Sequence, residues 1–120
     1  MILTEAEIQQ VLAQAQAAFP NLTNWEYINE KNSEYFGFSV WGEFVLNPEV
    51  LMSRSFFITL DTYEDKWQAC LTVGQHSYLW SSADAGDAHL LDTEPCESLE
   101  EAITLLKAKM VQLLAAFSAV

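Results

Sequence analysis

Basic residues are scarce in this chain. Of its 120 residues, 5 are Lys or Arg and 17 are Asp or Glu, which gives a formal net charge of −12 at pH 7. A field of this sign repels phosphate backbones and anionic lipid surfaces, so the composition argues against direct binding to nucleic acid or to a membrane. It favours a protein partner that carries basic groups.

Long apolar runs are missing as well. No window approaches the roughly 18 uninterrupted apolar residues of a membrane-spanning helix. The first ten residues, MILTEAEIQQ, contain no basic stretch followed by an apolar run, which is the pattern of a secretory signal peptide. We therefore expect neither a membrane span nor a signal peptide, and we predict a cytoplasmic location.

Cysteine and glycine are also rare, with two and four residues. Cys70 falls in a predicted strand and Cys96 in a predicted loop, a placement that fits neither a C-x-x-C motif nor a dense disulfide framework, so both are expected to be free thiols. Four dispersed glycines cannot build a glycine-rich phosphate loop. The sequence therefore predicts no nucleotide site and no cofactor.

Apolar residues are abundant by contrast. They make up 51% of the chain, and 12% of the residues are aromatic, which argues against disorder despite the net charge. A chain of this length can bury a core without help from a metal or a disulfide. We expect residues 1–120 to form a single α+β domain.

Capping signals predict a helix at each end of the chain. Thr4 followed by Glu7, and Ser98 followed by Glu101, both have the spacing of a capping box, and Pro20 would end the first helix. The last helix carries an apolar stripe with alternating spacings of four and three residues, which predicts a face that packs on the core. This stripe consists of Leu99, Ile103, Leu106, Met110, Leu113 and Phe117, with Leu114 beside it.

Between the helices the apolar pattern changes to a period of two, which predicts strands. Short connections favour an antiparallel meander of five strands with both helices on one face. Gly42 is a candidate for a bulge in the second strand. The predicted strands are Trp25–Glu30, Tyr35–Leu46, Ser55–Tyr63, Trp67–Gly74 and Ser77–Ser82.

The two faces of the predicted sheet differ in chemistry. Phe56, Ile58 and Leu60 alternate with residues of mixed aromatic and polar character, and the neighbouring strands alternate in the same way. The purely apolar face suits the helices, because it contains no polar group that burial would leave without a partner. The other face combines aromatic and polar groups, as protein interfaces do. Its candidate partner-binding residues are Tyr35, Trp41, Phe57 and Tyr63.

An acidic segment, SSADAGDAHLLDTEP, separates the predicted sheet from the last helix. Its candidate metal ligands are Asp84, Asp87, His89 and Asp92. Their spacing does not match a calcium loop, and no C-x-x-C or H-x-x-x-H motif completes a transition-metal site. No nucleophile motif accompanies His89 either. We therefore interpret the segment as a solvated acidic connection and expect no metal site, with cation binding by these four residues as the alternative.

These observations predict a non-catalytic acidic binding protein, similar in role to a chaperone, adaptor or inhibitor. It would use the aromatic and polar face of its sheet to bind a protein partner or a second copy of itself, so a homodimer is a further expectation. The alternative is a small metal-dependent enzyme or cation-binding factor that works through the segment from Asp84 to Asp92. A cation that stabilises the native protein would distinguish the two.

Overall fold

The computed structural model describes residues 2–31, 36–46, 54–75 and 88–118. In these residues a five-stranded antiparallel meander, with the strands in chain order across the sheet, follows an N-terminal helix and precedes a C-terminal helix. The predicted fold class is confirmed. The elements are α1 (Glu5–Ala18), β1 (Thr23–Asn29), β2 (Phe36–Leu46), β3 (Arg54–Tyr63), β4 (Lys66–Gln75), β5 (Ala88–Asp92) and α2 (Leu99–Ser118).

The fifth described strand is one that the sequence did not predict. The predicted strand Ser77–Ser82 lies outside the described residues, whereas Ala88–Asp92 pairs with β4 as an edge strand. The interpretation of the whole acidic segment as a solvated connection is therefore wrong for Ala88–Asp92. A β-bulge within this strand interrupts the alternation of its side chains.

Both helices begin at the predicted caps. The backbone N–H of Glu7 donates to Thr4 Oγ1 at 3.2 Å, and the Thr4 N–H donates to Glu7 Oε1 at 2.9 Å, which completes the capping box. At α2 the Glu101 N–H donates to Ser98 Oγ at 3.1 Å. The Glu101 carboxylate accepts from the backbone N–H of Glu97. In a regular capping box the donor would be the N–H of the N-cap residue Ser98, so this second box is shifted by one residue.

The core lies between the two helices and one face of the sheet. Phe38, Val40 and Leu60 are at most 1% exposed, and they alternate with less buried neighbours as the period of two predicted. Ile8, Val11, Ala15 and Phe19 of α1, and Leu99, Ala102, Ile103 and Leu106 of α2, belong to the same buried cluster. Both helices therefore cover this face, and we call the opposite one the open face.

The pairing of β2 is irregular at two places, once with β3 and once with β1. In β2 the register shifts between Phe36 and Ser39, and there the Phe38 N–H donates to Thr62 Oγ1 at 2.9 Å, which satisfies a backbone group that the bulge leaves without a strand partner. The second irregularity lies opposite Gly42, but in β1. Asn24 has a positive φ of 56°, and the register shifts between Thr23 and Glu26. The prediction of a bulge at Gly42 itself is thus wrong, because Gly42 pairs regularly with Ile58.

The two cysteines are free thiols, as the sequence predicted. Cys70 is half-buried in β4, and Cys96 is buried where it forms an isolated bridge with Trp67. Of the two described helices, neither is both long enough and apolar enough to cross a membrane.

Candidate functional site

The described residues form an apolar cleft of about 710 Å³ on the helix side of the sheet. Its floor is formed by β2 to β5, and its sides by the end of α1 with the following loop and by the second half of α2. The lining residues are Ala18, Phe19, Pro20, Asn21, Leu22, Phe44, Phe56, Ile58, Leu71, Val73, Leu90, Met110, Leu113, Leu114 and Phe117. Asn21 is the one polar side chain among them. The cleft can therefore hold an apolar group but offers little for chemistry.

The second half of α2 extends the apolar surface of the cleft. The buried residues of α2 end at Leu106, although the apolar stripe continues to Phe117. Val111, Leu114 and Phe117 are 66%, 62% and 72% exposed. The prediction that the whole stripe packs on the core is wrong for Phe117 and for Leu114 beside it, which no described part of the chain covers. Met110 packs against the buried cluster, and Leu113 is half-buried.

Charge is distributed unevenly between the two ends of the molecule. At one end, the start of α1 lies beside the end of β1, where Leu3 and Asn29 exchange two hydrogen bonds. At the same end, the β3–β4 turn lies beside the start of α2, where Lys66 Nζ is 2.8 Å from Glu97 Oε1. Nine exposed acids gather there, and we call this part the acidic end. They are Glu5, Glu7, Glu30, Glu64, Asp65, Glu94, Glu97, Glu100 and Glu101.

The opposite end of each helix borders the cleft and carries no acid. Residues 8–22 and 102–118 contain no Asp or Glu, and the charged residues in these two stretches are Lys107 and Lys109. The Lys107 Nζ lies 5.2 Å from the centre of the Phe19 ring, a cation–π distance. We call this part the cleft end. Among the described residues, acids thus gather at one end of the molecule and apolar surface lies at the other.

The sequence-predicted binding residues are found on the open face as far as the structure describes them. Trp41 pairs with Thr59, Phe57 pairs with Glu43, and Tyr63 pairs with Lys66. All three have the parity opposite to the core residues Val40, Ile58 and Leu60 of the same strands. All three aromatic side chains are half-buried. Tyr35 lies outside the described residues. The role of these rings in binding remains a prediction.

Two of the four predicted metal ligands meet on the open face. His89 Nδ1 lies 3.5 Å from Asp92 Oδ1, and one ligand atom from each of Cys70, His89 and Asp92 lies within 4.8 Å of the others. Asp84 and Asp87 lie outside the described residues. Sequence reasoning missed Cys70 as a member of this cluster. Its place on the polar side of β4 was visible in the alternation, but the pairing of β4 with β5 was not.

Burial controls the titration of the groups around this cluster. Desolvation raises the pKa of the half-buried Asp61 carboxyl, and a hydrogen bond with Ser39 and the nearby His89 partly offset that rise. Desolvation also raises the pKa of the Cys70 thiol, and the negative charges of Asp61 and Asp92 raise it further. An activated nucleophilic cysteine needs a lowered pKa, so the shift at Cys70 is in the direction opposite to activation even though a His and an Asp lie beside it.

Comparison of the chain with protein-family models, with curated proteins and with solved structures finds no match.

Proposed function

We propose that this chain is a cytoplasmic, non-catalytic binding protein that holds an apolar segment of a protein partner at its cleft end. One observation carries the proposal, namely the continuous apolar surface that runs from the cleft along the second half of α2 without cover from any described residue. Large uncovered apolar patches are rare on monomeric proteins and mark interaction sites.

The extent of this surface favours a protein segment over a small ligand. A cleft of about 710 Å³ is within the range of small-molecule sites. However, Leu114 and Phe117, which line the cleft, are more than half exposed, and Val111 continues the exposed apolar surface of α2 outside the cleft lining. A bound protein segment that follows α2 would cover these side chains as well.

The charge distribution supports the same function. Burial of carboxylates at an interface is costly, and residues 8–22 and 102–118 bring none to the cleft end. The net charge of −12 increases the rate of encounter with a partner that has basic residues flanking its apolar segment. The raised pKa of the Cys70 thiol argues against its use as a nucleophile.

The open face is the second place where a partner could bind, as the sequence predicted. The aromatic side chains of the open face, Trp41, Phe57 and Tyr63, are half-buried. The apolar side chains of Leu114 and Phe117 at the cleft end are exposed. A partner would therefore remove less apolar surface from water at the open face. For this reason we place the main contact at the cleft end.

Two double variants test the proposal. Leu114→Ser with Phe117→Ser changes the cleft end, and Trp41→Ser with Tyr63→Ser changes the open face. Wild type and both variants are used as bait for affinity capture from the native cell, with identification by mass spectrometry and a direct affinity measurement on the captured partner. We expect the cleft-end variant to lose the partner and the open-face variant to retain it.

Thermal melts and sedimentation of the same three proteins provide the controls. The cleft-end variant should melt close to the wild type, because both replaced side chains are mostly exposed, so a loss of binding cannot be attributed to unfolding. A wild type that sediments as a homodimer, with a monomeric cleft-end variant, would identify a second copy as the occupant. Partner binding that survives in the cleft-end variant but not in the open-face variant would contradict the proposal.

A further inference from the structure

We propose that Cys70, His89 and Asp92 form a binding site for a transition-metal cation such as Zn²⁺ on the open face of the sheet. The proposal concerns the face opposite the cleft and does not depend on the function proposed above. It rests on the geometry of the β4–β5 pair, on the distances between the three side chains and on their donor atoms.

A β-bulge brings two of the ligands to the same face. His89 and Asp92 are three residues apart, and in a regular strand that spacing points two side chains to opposite faces. Here Asp92 pairs with Cys70, but His89 pairs with Thr72, so the register shifts by one residue at Leu90. Leu90 lines the cleft on the helix side, while His89 and Asp92 share the open face with Cys70. Bulges often redirect side chains beside functional sites.

The distances are close to those of a metal shell. With bonds of about 2.0–2.3 Å to Zn²⁺, the ligand atoms of a tetrahedral site lie about 3.2–3.8 Å apart. His89 Nδ1 and Asp92 Oδ1 are already 3.5 Å apart, and no pair in the cluster exceeds 4.8 Å. Closure around the cation needs shifts of about 1 Å. The exposed side chains of His89 and Asp92 can make them by small rotations.

The donor atoms select the type of cation. A thiolate, an imidazole and a carboxylate together are typical ligands of Zn²⁺, whereas Ca²⁺ and Mg²⁺ prefer oxygen atoms alone. Binding displaces the thiol proton of Cys70 to solvent as the sulfur–metal bond forms. Three protein ligands leave the fourth tetrahedral position for water or for a group from a bound molecule.

The surroundings attract a cation. The carboxylate of Asp61 lies on the same face and interacts electrostatically with both Cys70 and His89. The charged groups that act on the Cys70 thiol are Asp61 and Asp92, both negative. A bound divalent cation would offset this concentration of negative charge on a half-buried part of the sheet.

Titration of the metal-free, reduced full-length chain tests the site. Zn²⁺ binding is measured by calorimetry, and Co²⁺ serves as a spectroscopic probe, because a thiolate ligand produces a charge-transfer band in the near ultraviolet. We expect one cation per chain, a thiolate band, and a rise in melting temperature on addition of Zn²⁺. Cys70→Ser should remove the band, and Cys70→Ser, His89→Gln and Asp92→Asn should each weaken Zn²⁺ binding by at least about tenfold.

Two matched controls replace residues of the same types outside the cluster. Cys96→Ser should keep the cobalt band, and Asp65→Asn should keep the affinity for Zn²⁺. Because His89 and Asp92 are exposed, their variants should fold and melt like the wild type without metal, so the test stands even if Cys70→Ser unfolds. The proposal is overturned if no thiolate band appears, if the ligand and control variants bind Zn²⁺ equally, or if several cations bind with the same weak affinity.

Discussion

The indole ring of Trp25 lies so close to Gly42 that a Cβ atom at position 42 would be 2.7 Å from Cδ2 and Cε2 of the ring. The two residues meet where the β1 bulge faces β2, and the positive φ of Asn24 belongs to the same irregularity. Asn24 is fixed there by its side chain, whose Nδ2 donates to Glu43 Oε1 at 2.7 Å. Glycine at position 42 is thus required by the approach of a ring from the neighbouring strand.

Gly42→Ala should therefore destabilise the protein by about 1–3 kcal/mol, the usual cost of overpacking. Chemical denaturation measures the loss. The same substitution in a Trp25→Leu background should cost clearly less, because leucine leaves room for the new methyl group. Equal costs in both backgrounds would mean that contact with the ring is not what requires glycine.

Thr62 replaces backbone pairing at the β2 bulge. Its Oγ1 accepts from the Phe38 N–H at 2.9 Å and donates to the Phe38 carbonyl at 3.3 Å, and the residue is fully buried. Thr62→Val keeps the shape but leaves two buried backbone groups without this partner, so we expect a loss of about 1–3 kcal/mol on chemical denaturation. Thr23→Val, at an exposed position in β1, is the control and should change little.

Leu106 and Leu114 belong to one apolar stripe of α2 but have different surroundings. Leu106 is fully buried, and Leu106→Ala should cost about 2–5 kcal/mol. Leu114 is 62% exposed, and Leu114→Ala should change the free energy of unfolding by no more than about 0.5 kcal/mol. Urea denaturation of the two variants compares the same chemical change in one helix. Similar losses would show that the second half of α2 is packed as tightly as the first.

Asp61 gives a prediction for the pH dependence of stability. Desolvation raises the pKa of its carboxyl in the folded state, so ionisation of Asp61 opposes folding, and this penalty grows as pH rises from the unfolded pKa of about 3.9 through the folded pKa. Asp61→Asn removes the ionisable group. The stability of the variant relative to wild type should therefore increase with pH in that window and level off above it.

Denaturation of both proteins in a chelator, from about pH 4 to about pH 8, measures this difference. The chelator matters because a bound cation would itself stabilise the ionised form. Asp65→Asn, at an exposed position in the β3–β4 turn, should show no such trend. A constant difference between Asp61→Asn and wild type across the range would count against the assigned cause.

Local signals in the sequence predicted the helices and the alternation well. Both N-caps depend on residues within four positions of one another, and side-chain parity within β2 and β3 requires only that the strands exist. The placement of Trp41, Phe57 and Tyr63 on the open face follows from that parity. These features could be predicted because each is decided inside one element.

The remaining features depend on contacts between elements. A one-residue shift at Leu90 changes which face His89 occupies, and only pairing with β4 reveals it. The apolar pattern of α2 is also the same on both sides of Leu106. The pattern shows that the stripe is apolar, but it does not show where the sheet beneath the helix ends. The cleft and the Cys70 cluster were missed for these two reasons.

The separation of charge between the acidic end and the cleft end would limit how large an assembly built through the cleft end could grow. If two copies meet through their cleft ends, each leaves its nine exposed acids facing outward. A third copy then approaches like charge and finds no free apolar surface of the same kind. Association through the cleft end would therefore favour a closed pair over an extended filament.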